Sequence, residues 1–82
     1  MATKFRFRFV GPNSGDQFFD FAESLQFDLR KMGTAHVENL DTIKDEFFVV
    51  VKKQRDLGQV EDRIRRAIES ARQWIHIEVE RV

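Results

Sequence analysis

Cysteine is absent from this chain, which excludes disulfides, thiolate metal sites, iron–sulfur clusters and a cysteine nucleophile. The absence also suits a reducing compartment. Proline occurs once, at Pro12. Neither charge is in excess, since 14 basic residues stand against 14 acidic ones. Nucleic-acid binders usually draw their affinity from surplus lysine and arginine, so the balance argues against a dedicated binder of that class. No apolar run has signal-peptide length, and none approaches the roughly 18 residues that a membrane-spanning helix needs. Low-complexity tracts, internal repeats and linkers are also missing. The expectation is one soluble, cytoplasmic domain over residues 1–82, with no membrane partner.

Aromatic residues are what the chain does have, with nine Phe and one Trp among 82 residues. A chain of this length buries only about 60–65% of its unfolded surface, so large rings matter to its core. Residues 4–10 alternate strictly, with Phe5, Phe7 and Phe9 on one side and Lys4, Arg6 and Arg8 on the other. That period of two is a strand with one apolar and one cationic face. The strand is expected over residues 3–10, ending at Gly11 and Pro12. Ser14 followed by Gln17 fits a capping box, and Asp16 suits the positive end of a helix.

The spacing of Phe18, Ala22, Leu25, Leu29 and Met32 predicts a helix over residues 15–32, with Phe21 on the flank of its stripe. At about 100° per residue, Phe27 points away from that stripe and Phe19 lies to one side. Gly33 suits the position that closes a helix. A second strand is expected over residues 34–40, with Ala35 and Val37 facing one way and His36 and Glu38 the other. Residues 39–45 read as a polar turn. A third strand over residues 46–53 is apolar on both faces, so either Phe47, Val49 and Val51 or Phe48 and Val50 face outward. A second helix over residues 59–73 carries the stripe Val60, Ile64, Ala67, Ile68 and Ala71. Trp74 reads as a core plug, and a last strand is expected over residues 75–82.

The order βαββαβ predicts an α+β sandwich of the ferredoxin-like, split βαβ kind. Its four-stranded antiparallel sheet has the order 4-1-3-2, with both helices over one face. The uncovered face would carry Arg6 and Arg8 opposite Glu78 and Glu80, pairs worth about 0.2–1 kcal/mol each. It lacks the outward aromatics on the central strands that an RNA-recognition platform uses.

Three surfaces are candidates. The outward row of the third strand (drawn from Phe47, Phe48, Val49, Val50 and Val51), with Phe19 and Phe27, would serve self-association or a protein partner. The 11–15 loop, through Gly11, Asn13, Ser14 and Gly15, would meet Asn39 at one sheet end and hold an anion. Lys4, Arg30, Lys31, Lys52, Lys53 and Arg55 would gather at the opposite edge and touch a phosphate backbone.

In its size, its strand–helix order, its glycine-bearing loop and the segment His36-Val37-Glu38-Asn39, the chain resembles acylphosphatase. The resemblance implies a ferredoxin-like fold and carries over only Asn39, as the residue that orients water. The arginine expected after the loop is replaced by Phe18, Phe19 and Asp20, which removes the main stabiliser of an acyl phosphate. No set of acid, base and nucleophile can be assembled, and His36 and His76 fall on opposite edge strands. The expectation is a non-enzymatic domain with no cofactor and no metal.

Overall fold

The computed structural model describes residues 2–10, 15–33, 35–41, 43–73 and 75–82. The proposed cap at Ser14 and the Trp74 plug lie outside these. The elements are β1 (Thr3–Phe9), α1 (Gly15–Met32), β2 (Ala35–Asp41), β3 (Glu46–Val51), a short 3-10 turn (Gln54–Asp56), α2 (Leu57–Ala71) and β4 (Ile77–Arg81). The strands form one antiparallel sheet in the order β2-β3-β1-β4, the expected order read from its other edge.

Register settles which row of β3 faces inward. Phe7 stands opposite Phe47, Phe5 opposite Val49 and Thr3 opposite Val51. Residues paired across strands share a face, so Phe47, Val49 and Val51 join the phenylalanine face of β1. All three are buried in the core. They therefore leave the list of candidate surface residues. Their ring and methyl groups are needed where β1 packs, and Phe48 and Val50 make the outward row.

One core collects Phe5 and Phe7 from β1, Phe18, Ala22, Leu25 and Leu29 from α1, and Leu57, Val60 and Ile64 from α2. Phe7 and Phe47 stack at its centre, with ring centroids 4.6 Å apart and planes 12° from parallel. Phe18 leans on Phe47 and Phe9, while Phe21 sits 6.1 Å from Phe7. Burial of such rings is the main stabilising term for so short a chain.

α1 begins and ends at the residues its periodicity indicates. At its end Gly33 has φ +71° and donates its N–H to the carbonyls of Leu29 and Arg30. That left-handed conformation is the reason for glycine there. α2 starts two residues earlier than expected, because Gly58 lies inside the helix and Leu57 packs into the core.

β2 extends one residue beyond its expected end, to Asp41, through an irregularity between Glu38 and Asp41. Asn39 sits in that irregularity with φ 53°. An extra residue in one strand is a bulge, and asparagine tolerates the left-handed conformation better than branched residues. Asp41 then holds the turn to β3, accepting the N–H groups of Ile43 and Lys44 on Oδ1 at 2.9 and 3.1 Å.

Candidate functional site

The sheet face opposite the phenylalanine row is striped by charge. β1 contributes Lys4, Arg6 and Arg8, and its neighbour β4 contributes Glu78 and Glu80 in register with Arg8 and Arg6. Arg6 pairs with Glu80, and Arg8 Nη2 donates to Glu78 Oε2 at 3.0 Å. On the other flank β3 places Phe48 beside Arg6 and Val50 beside Lys4, with Glu38 and His36 opposite them on β2. Val50 is only 6% exposed and Phe48 is half-buried, although both point away from the core. Long cationic stems can lie over apolar neighbours while their charges stay in water. The outward row is thus a narrow apolar strip between charges rather than a bare patch.

At the outer edge of this face, His36 Nε2 and Glu38 Oε1 are 3.0 Å apart. The hydrogen bond from His36 holds the Glu38 carboxyl below its ordinary value, helped by the nearby charges of His36, Lys4 and Lys52. A carboxylate with a depressed folded-state value adds stability above its unfolded value and loses it as pH falls through the folded one. Glu38→Gln should therefore melt below the parent at neutral pH, and the gap should close as pH falls below 4.5. Parallel thermal melts check this; a gap that stays constant into acid would remove the pair from the account. On α2, Asp62 accepts from Arg65 and meets Arg66 Nε at 3.2 Å, and its carboxyl is likewise held low. Arg65 thus turns to Asp62, three residues back along the helix.

The basic residues divide. Arg30, from the last turn of α1, and Lys52 and Lys53, just after β3, line a hollow of about 300 Å³ together with His36 and Asp56. Lys31 instead borders a second hollow on α1 with Glu23, Gln26, Phe27 and Arg30. Arg55 is exposed in the 3-10 turn and lines neither of these hollows. Lys4 lies on the sheet face, opposite Val50. His36 in the basic hollow was not foreseen; its signal was present in the antiparallel pairing that brings the start of β2 beside the end of β3.

The two α1 aromatics outside the stripe are exposed, Phe27 at 68% and Phe19 at 37%. Of the loop candidates, Gly11, Asn13 and Ser14 lie outside the described residues, Gly15 opens α1, and Asn39 is exposed at the bulge. Phe18, where the resemblance to acylphosphatase would want an arginine, is buried against Phe47 and Phe9. His76 directly precedes the edge strand β4, and its carbonyl accepts the N–H of Val10 at 2.9 Å. Among the described residues no group of three or more His, Cys, Asp or Glu could hold a metal ion, and no helix is long and apolar enough to cross a membrane. The chain matches no protein-family model and no curated protein.

Proposed function

We propose that this is a small protein-interaction domain of ferredoxin-like architecture, in which both helices cover one sheet face and the striped face receives a second copy of the chain. The common core of α1, α2 and the inner strand rows supports that architecture. The observation that carries the function is the charge pattern of the striped face. Lys4, Arg6 and Arg8 form a positive stripe, with Glu78 and Glu80 on one side and Glu38 and Glu46 on the other. A twofold contact lays a surface on itself, so a face with adjacent stripes of opposite sign is complementary to its own copy. With the twofold axis along β3, Phe48 lies at the apolar centre of the contact, and Arg6 of each copy comes to face the Glu38 carboxylate of the other.

The area sets the strength. Four strands about 4.8 Å apart, each contributing about five residues at roughly 3.3 Å, span about 20 Å by 17 Å. That places the contact at the small end of interfaces, in the range of weak and transient pairs. Light scattering from micromolar to millimolar protein should therefore show a mass that climbs toward twice the monomer, and high salt should reverse the climb. Phe48→Glu should stay folded and hold the monomer mass throughout. A parent protein that is monomeric over the whole series would overturn the dimer.

A further inference from the structure

The hollow formed by Arg30, Lys52 and Lys53 has a chemistry that the striped face does not share. We infer that it is a binding site for a phosphate monoester, entered by the phosphoryl group of a small ligand.

The first support is charge. Three cationic side chains and one carboxylate, Asp56, line the hollow, a formal balance of two positive charges in a chain whose net charge is zero. Among the described residues none of the three cations lies within ion-pair distance of a carboxylate. By contrast Arg6, Arg8, Arg65 and Arg66 are all paired. Three cations held around one space repel each other, and an anion entering that space relieves the repulsion. A phosphate monoester brings about two negative charges at neutral pH and three terminal acceptor oxygens. It therefore matches both the charge and the number of donors, and a guanidinium can take two oxygens side by side.

The second support is shape. The hollow holds about 300 Å³, and its remaining lining is Gly33 and Ala35, with His36 at the sheet edge. The small residues leave room for a tetrahedral group between α1 and the segment after β3. No Phe or Trp is among the lining residues, so there is no platform on which a base could stack. Recognition therefore ends at the phosphoryl group. The imidazole of His36 is already engaged by Glu38, so it borders the site without being counted among its charges.

The third support is Asp56. It stands just before α2 and makes no side-chain hydrogen bond to cap that helix. The Leu57 N–H is taken by the Gln54 carbonyl, so the 3-10 turn and not Asp56 closes the start of α2, and the helix start adjoins the hollow only through Asp56. Asp56 opposes the anion and tunes the site downward, which yields a directional test.

Amide spectra should be followed while inorganic phosphate is added at constant ionic strength, with chloride and sulfate as separate arms. Phosphate should shift residues 30–36 and 52–56 and leave β1 and β4 unchanged. Lys52→Gln and Lys53→Gln should each weaken binding about threefold, the scale of a partly exposed charge pair. Asp56→Asn should tighten it by a similar factor, while Glu61→Gln, outside the hollow, should not. Two further arms separate the sources of the phosphate, a phosphorylated sugar and a short single strand with or without its 5′-phosphate. Binding that needs the terminal phosphate supports the site from either source. Equal binding of the strand without it, growing with strand length, would mean backbone contact and overturn the monoester reading. So would shifts that chloride reproduces, or an Asp56→Asn variant no tighter than the parent.

Discussion

Phe7→Ala is expected to remove about 3–5 kcal/mol of stability, the range for emptying a buried aromatic site. Phe7 is fully buried, stacks on Phe47 and lies within aromatic range of Phe21. Domains of this size hold only about 5–15 kcal/mol in total, so the variant loses a large part of its margin. At roughly 4–8 °C per kcal/mol, its melting temperature falls by tens of degrees. The control is Phe27→Ala, which removes an equal ring from an exposed position and should change stability by less than about 0.5 kcal/mol. Denaturant titration of both variants is the measurement. A Phe7→Ala loss as small as that of Phe27→Ala would mean that the core is not centred on β1. A double-mutant cycle with Phe47→Leu should also return a coupling of about 0.5–1.5 kcal/mol, since the two rings face each other.

The contrast between these two phenylalanines was already visible in the sequence, because period alone separates them. Phe7 sits in a strict alternation with arginines, and Phe27 sits two positions after Leu25, on the far side of a helix whose stripe is otherwise consistent. The bounds of α1 and the role of Gly33 were legible for the same reason: local chemistry and long-range packing agree there. Elsewhere a local signal was outweighed. Gly58 reads as a turn residue, yet it lies within α2, where the 3-10 turn at Gln54–Asp56 leads Leu57 into the core. Burying a leucine outweighs the roughly 1 kcal/mol that glycine costs a helix. Ile75 reads as the start of the last strand, but it is buried just after α2 and donates its N–H to the Ala71 carbonyl, so β4 begins at Ile77. The bulge at Asn39 lengthens β2 in a way no alternation pattern announces.

The candidate sites divide along the same line. The opposite charges of Arg6 with Glu80 and Arg8 with Glu78 follow from strand order and alternation, so that pairing was legible. The meeting of Arg30, Lys52 and Lys53 was legible as an edge but not as a hollow. A hollow depends on how far α1 ends from the segment after β3, and side-chain periodicity does not encode that distance. The outward row of β3 could not be assigned at all from the sequence, because both of its rows are apolar. Only pairing partners decide such a case, and a slip of one residue would exchange the rows.

Val49→Glu should unfold the protein, whereas Phe48→Glu, one residue away, should leave it folded. Val49 is fully buried opposite Phe5 and Val37. Its direct cross-strand neighbours are apolar, and the cation of that row, Arg81, is exposed on β4 two strands away. Burying a carboxylate unpaired costs about 4 kcal/mol or more, an exceptional value for one substitution. Phe48 points the other way, between Arg6 on β1 and Glu38 on β2. A glutamate at that position meets one opposite and one like charge, terms of about 0.2–1 kcal/mol that largely offset each other. What remains is the loss of a half-buried ring and of β-propensity, on the order of 1 kcal/mol. Circular dichroism melts of the two variants check the difference directly. An unfolded Phe48→Glu beside a folded Val49→Glu would reverse the faces of the sheet, and would remove the striped surface on which the proposed self-association depends. With the expected order, Phe48→Glu becomes a clean reporter: a folded chain whose mass no longer grows with concentration has lost an interface and not its fold.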